Sequence, residues 1–197
     1  MPDEVIWWEK TVEYKFIVDA HKERNLDFAA PLSGIQEMAG DGVFSADAKL
    51  ILVEFKRDLN SLKTEKDKFT NYEKAKRKMR GRDNHHFLVY GYVCDQKLNL
   101  EARQYFSVSK KHEPLSILDM GLENSEFIDY LKDLIALKKV DKRSSGKVSP
   151  EFISSVVGIS SGNVSSISLT EYVKKAIPEL YLALTKTITS SNDLTNG

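Results

Sequence analysis

Only one cysteine, Cys94, occurs among the 197 residues. No disulfide can close within one chain, no cysteine-type zinc site can assemble, and the expectation is a reducing, cytoplasmic setting. Proline (5 residues) and glycine (10 residues) are sparse. The glycines do not gather into a phosphate-cradling loop, which argues against an NTPase. No apolar stretch approaches the roughly 20 residues that a membrane-spanning helix needs. The start, Met1-Pro2-Asp3-Glu4, is acidic and lacks the basic residues and apolar run of a signal peptide. The expectation is therefore a soluble protein with no membrane partner. Charge of one sign is also missing, because 29 basic and 29 acidic side chains cancel. Any affinity for nucleic acid has to come from local clusters.

What is present is an ordinary globular balance, 41% hydrophobic and 29% charged, long enough for one domain with some decoration. Residues 3–24 read as an amphipathic helix: Val5, Trp8, Val12 and Phe16 recur at helical spacing, and Ile17 and Ala20 widen the stripe. Residues 26–30 read as a short strand. Asp41–Ser45 and Leu50–Lys56, on either side of the polar break Ala46–Lys49, read as a hairpin. In its second strand Ile51, Val53 and Phe55 face one way, and Leu50, Leu52, Glu54 and Lys56 the other. Both faces stay apolar until the end, the pattern of a central strand covered on both sides.

Further along, residues 60–79 read as one charged helical stretch, His86–Val93 as a strand and Tyr105–Val108 as another. Asn124 or Ser125 caps a helix carrying Phe127, Tyr130, Leu131, Leu134 and Ile135. Residues 138–149 look like a linker. Ser149-Pro150 opens a short helix ending near Gly158. Ser168-Leu169-Thr170-Glu171 has capping-box spacing for a last helix to about Lys186, which Pro178 kinks or divides. This order predicts an α/β fold: a mixed sheet flanked by helices over residues 1–140, then a linker and helical extension over 141–197.

The chemistry concentrates in Gly40-Asp41-Gly42-Val43-Phe44, a turn, and Val53-Glu54-Phe55-Lys56. Glu54 and Lys56 are two apart on a strand, so both project from one face. A carboxylate and an ammonium at the end of an apolar strand are costly to desolvate unless something uses them. In the hairpin, Asp41 brings a second carboxylate alongside. Converging carboxylates make a hard-oxygen site suited to Mg²⁺ or Mn²⁺. Such an ion suits phosphodiester hydrolysis, with a lysine beside it to orient or activate water. The bland alternatives are a strand-end ion pair in solvent for Glu54–Lys56 and a simple turn for Asp41-Gly42.

From the first helix to about Val93, the chain resembles the PD-(D/E)XK nuclease superfamily. The order helix, hairpin, crossover helix, strand is similar, and Asp41, Glu54 and Lys56 match its Asp…Glu-x-Lys motif; Gly40 replaces the usual proline. The resemblance implies a restriction-endonuclease-like core, Mg²⁺-dependent cleavage of DNA, metal held by Asp41 and Glu54, and a further ligand on the first helix. Glu13 is preferred there for its place beside Val12, Phe16 and Ile17, with Glu9 as the alternative.

From Lys63 to Arg82 there are nine basic residues against three acidic ones, with Phe69 and Tyr72 interleaved. Lys74, Lys76, Arg77, Lys78, Arg80 and Arg82 are candidates for phosphate contacts; a solvated helix face is the plain alternative. His85 and His86 read as strand-edge polar residues, Trp7 and Trp8 as core and rim, and Cys94 as a buried thiol. Ile177, Leu180, Leu182 and Leu184 make a homodimer through the C-terminal helices an expectation. Two rivals to the enzyme stand: a non-catalytic nucleic-acid-binding module that keeps the fold, and an interaction protein with a structural Glu54–Lys56 ion pair.

Overall fold

The architecture is organised around strand β2 (Lys49–Lys56), whose residues Leu50 to Val53 are wholly buried on both faces. The computed structural model describes residues 7–24, 27–28, 47–139, 154–161 and 163–184. A strand without a solvent face belongs in the middle of a sheet, and β2 is there. Parallel β3 (His86–Cys94) flanks it on one side and antiparallel β6 (Ser155–Ser160) on the other. Beyond β3 come β4 (Lys97–Gln104) and β5 (Ser107–His112); beyond β6 come β7 (Asn163–Ser168) and the two-residue β1 (Asp27–Phe28). The mixed sheet has the order β1-β7-β6-β2-β3-β4-β5.

This order corrects two expectations. The neighbour expected for β2 was the segment Asp41–Ser45; instead β6 holds that edge from Lys49 to Val53. Asp41 to Ser45 lie outside the described residues. The short helix expected to end near Gly158 is strand β6, so the C-terminal part supplies sheet strands as well as helix. The physical reason is visible in the residues. Val156, Val157 and Ile159, and Val164 and Ile167 of β7, are β-branched and favour a pleated backbone. Ser149-Pro150 and Gly158 mimic the start and stop signals of a short helix. Gly158, read as a helix stop, instead pairs with Leu50.

On one face of the sheet, Leu50, Leu52 and Leu88 pack under α2 (Tyr72–Met79), α3 (Asn124–Leu137) and α4 (Leu169–Ala176). On the other, Ile51, Val53, Phe55, Phe87 and Val89 meet α1 (Glu9–Arg24) and the 3₁₀ turn Pro114–Asp119. α1 buries Val12, Phe16 and Ala20 as its periodicity predicts, but Trp8 is exposed. Trp7 holds the entry instead, donating from Nε1 to the Arg57 carbonyl at 2.7 Å. That packing needs a glycine on β3: a Cβ on Gly91 would lie 2.7 Å from Trp7 Nε1 and 2.8 Å from Leu98 Cδ1. Gly91→Ala is therefore expected to force Trp7 off the sheet and destabilise by about 1–3 kcal/mol, read as a lower urea midpoint.

The charged stretch 60–79 is not one helix. A 3₁₀ segment (Asn60–Lys68) ends at extended Phe69, and α2 restarts behind Asn71, whose side chain accepts from Lys74 N at 2.9 Å. Burial of Phe69 and its bridge to Lys138 break the run. Of the strand expected over Tyr105–Val108, Tyr105 and Phe106 form the turn between β4 and β5, and Ser107 and Val108 begin β5. α3 buries all five residues read from its pattern. Ser168 caps α4, accepting from Glu171 N at 3.2 Å, and helix resumes at residues 178–184 after Pro178. Ile177, Leu180 and Leu184 pack on this chain's own core, leaving Leu182 exposed, so most of the apolar surface behind the dimer expectation is already used. Among the described residues, no helix is long and apolar enough to cross a membrane.

Candidate active site

Alternation along β2 puts Glu54 and Lys56 on the α2/α3 face, in register with Leu88 and Tyr90 of β3. The chain then turns back through the 3₁₀ segment. Its three-residue period eclipses side chains three apart, so Glu65 and Lys68 present together. The four groups form a closed ring of alternating charge. Lys56 Nζ lies 3.2 Å from Glu54 Oε1 and 2.6 Å from Glu65 Oε1. Lys68 Nζ contacts the same two oxygens, Glu54 Oε1 directly and Glu65 Oε1 at 3.0 Å. Tyr105 donates its hydroxyl to Glu65 Oε2 at 2.7 Å, and Ser154, just ahead of β6, donates to Glu54 Oε2 at 3.4 Å. Glu54 is 0% exposed, Glu65 3% and Lys56 7%, so the ring is screened from water.

Burial sets the electrostatics. It raises the Glu54 carboxyl, and neighbouring Glu65 raises it further, against the pull of Lys138, Lys68 and Lys56. Burial also pushes on Glu65, but Lys68, a hydrogen bond with Glu54 and Lys56 outweigh it and hold that carboxyl down at about 2. The two carboxyls are thus pushed in opposite directions, Glu54 up and Glu65 down. Burial opposes the charge of Lys56, yet Glu54 and Glu65 together raise its pKa. Lys138, buried above the Phe69 ring, is lowered by that burial although Glu54 favours its charge.

The structure brings Glu54 and Lys56 together, as their spacing predicts. Asp41 lies outside the described residues. Of the two helix carboxylates, Glu9 approaches, with Oε1 3.9 Å from Lys56 Nζ, whereas Glu13 pairs with Lys10 at 2.7 Å. Glu65, Lys68, Tyr105 and Lys138 escaped sequence reasoning. Glu65 and Lys68 sit inside a run that looks like a solvated helix, and only its 3₁₀ winding turns them onto the ring. Among the described residues, no three His, Cys, Asp or Glu side chains cluster as a metal site. Glu54 and Glu65 do supply two facing oxygen donors, the chemistry a hard divalent ion takes.

Of the basic candidates, Lys74, Arg77 and Arg80 are exposed, and Lys76 is half-buried. Lys78 and Arg82 instead bind one carboxylate, Asp133 of α3, at 2.8 and 2.7 Å, which ties α2 to α3. His85 and His86 are buried rather than strand-edge. The His86 ring stacks on Tyr105 at 3.8 Å, and its Nδ1 is 2.7 Å from the Tyr130 hydroxyl. Burial holds His85 down at about 4 and His86 well below its usual value. Cys94, expected inside, is exposed where β3 runs out past the core. No protein-family model matches the chain, and no curated protein or solved structure is significantly similar to it.

Proposed function

We propose that this chain is a Mg²⁺- or Mn²⁺-dependent nuclease that hydrolyses phosphodiester bonds of DNA. The observation that carries the reading is the ring of Glu54, Lys56, Glu65 and Lys68 at the end of the central strand. Buried charges of this density are poor stabilisers, and well-packed apolar residues of similar volume commonly do as well or better. Function is the stronger reason for keeping them. The parallel β2–β3 pair with its crossover through α2 also supports the resemblance to the PD-(D/E)XK superfamily.

In this reading Glu54 and Glu65 would hold the cation, with Asp41 a further ligand on the resemblance alone. When bound, the ion neutralises charge on the phosphate and makes water more acidic. Lys56 orients water or stabilises developing charge, its ammonium fixed between Glu54 and Glu65 and approached by Glu9. Lys74, Arg77 and Arg80, together on and just after α2, take backbone phosphates; such contacts position a duplex without reading its sequence. Wild-type protein is expected to cut DNA only with Mg²⁺ or Mn²⁺, and plasmid, linear and branched substrates compared side by side identify the preferred form.

A second reading is favoured by one feature: each ring carboxylate already meets two ammonium groups, as a static ion lattice would. On that reading the chain is a non-catalytic module that binds nucleic acid through its basic helix. It predicts salt-sensitive retention of DNA and no metal-dependent product in the same assay.

A further inference from the structure

Where α3 covers the start of β3, three imidazole nitrogens are buried with no hydrogen-bond partner among the described residues: both of His85, and Nε2 of His86. The side facing α3 is aromatic. His85 meets the rings of Tyr130 and Phe127 at 4.3 and 5.5 Å between centroids. His86 stacks on Tyr105 and reaches the Tyr130 hydroxyl through Nδ1. The remaining neighbours are cationic: Arg82 faces His85, and Lys138 and Lys68 face His86, each opposing positive charge on the ring. Asp83 lies two residues before His85, but its oxygens already accept from Gly81, Gln104 and Phe106. Glu65 stands behind Tyr105, whose hydroxyl it holds.

We infer that His85 and His86 form an acid-sensitive latch beneath α3, and that protonating either imidazole releases this helix from the sheet. A protonated ring donates from both nitrogens, and burying it without acceptors is costly. Water is the acceptor left, and lifting the covering helix brings it in. The opening is local, since β2 and β3 stay paired inside the sheet while α3 is an outer layer. Burial holds both imidazoles below their usual range, His85 at about 4 against an ordinary 6.5. Their stabilisation is therefore full above pH 6.5 and is lost as pH falls toward 4. Release of α3 also reaches the charged ring. The helix runs up to Lys138, which bridges to Phe69 at the end of the 3₁₀ segment carrying Glu65 and Lys68. The latch itself requires neither metal nor nucleic acid.

The test is amide hydrogen exchange at about pH 7 and pH 5, corrected for the intrinsic pH dependence of exchange. In wild type the α3 amides are expected to speed up about a hundredfold, roughly tenfold for each imidazole that gains a proton on opening. The amides of α1, on the opposite face of the sheet, keep their rates. His85→Phe retains the packing on Phe127 and Tyr130 and removes one titrating group, so its α3 acceleration is expected to shrink to about tenfold. A uniform change across α1 and α3, no change at all, or an undiminished acceleration in His85→Phe overturns the latch. Imidazole ¹⁵N spectra of wild type supply a readout that needs no variant. The His85 and His86 rings are expected to stay neutral where an ordinary histidine is already charged. Titration of all 4 histidines near 6.5 overturns the latch whether or not the variant folds.

Discussion

Glu54→Gln is expected to lower Mg²⁺-dependent cleavage by at least about a hundredfold while changing stability by less than about 1 kcal/mol. The two effects separate because burial penalises the charge of Glu54 in the fold while the chemistry uses it. Burial and the adjacent Glu65 raise the Glu54 carboxyl, so the fold penalises its charge and a neutral amide of the same shape relieves that penalty. A glutamine preserves its shape, leaves an oxygen for Lys56 and Lys68, and offers Glu65 a donor. What it removes is the charge a divalent ion requires. Glu65→Gln should behave differently, since Lys56, Lys68 and Tyr105 all address an ionised carboxylate. The pH dependence separates them again. Glu65 is held at about 2 against an ordinary 4.5, so its stabilisation is full above 4.5 and fades as pH falls toward 2. The raised Glu54 has the opposite sign: its contribution is full below 4.5 and is lost as pH rises through its folded-state value. Urea midpoints across pH 2–7 for wild type and the Glu65 variant, with cleavage rates at neutral pH for both variants, check this division.

Asp83→Ala is expected to destabilise the chain by about 3–5 kcal/mol. Asp83 is fully buried. Its Oδ1 accepts from Gly81 N at 3.1 Å and Gln104 Nε2 at 2.8 Å, and its Oδ2 from Phe106 N at 2.9 Å. One side chain therefore pins the tight loop before β3, where Gly81 has φ +86, to the β4–β5 turn. Alanine removes three hydrogen bonds at once, two of them from backbone N–H groups, and leaves the buried Phe106 N–H without its acceptor. Asp83→Asn keeps an acceptor on one side only and should lose roughly half as much. The consequence reaches the ring, because that turn carries Tyr105, whose hydroxyl holds Glu65. Cleavage should fall in the alanine variant even at temperatures where it remains folded. The measurement is the urea midpoint at constant m-value, with cleavage assayed well below the transition.

How much of this was legible beforehand varies by element, for physical reasons. β2 could be read because a strand buried on both faces leaves an unbroken apolar run, and α3 because its five core residues keep helical spacing. β6 and β7 could not. Ser165 and Ser166 lie on opposite faces of β7, so no face alternates cleanly, and Ser149-Pro150 with Gly158 mimic the start and stop of a short helix. The charged stretch misled in the opposite direction. Its average character is that of a solvated helix, and only Phe69 and Asn71 mark where it breaks. Half of the ring follows from that break, since Glu65 and Lys68 face β2 only on 3₁₀ winding. Glu54 and Lys56 were legible because two-residue spacing on a strand fixes a shared face whatever surrounds it. Choosing between Glu9 and Glu13 was harder, as they lie one turn apart on α1 and share a helix face.

The account rests on the ring at the end of β2 performing hydrolysis, and Lys56 is its most exacting probe. Supercoiled plasmid incubated in Mg²⁺ with wild type and with Lys56→Ala, both folded by circular dichroism, gives the most direct reading. The expected result is nicked or linear product from wild type, none without Mg²⁺, and at least a hundredfold slower conversion by the variant. Equal conversion by the two proteins, or none by wild type in either Mg²⁺ or Mn²⁺, would contradict it.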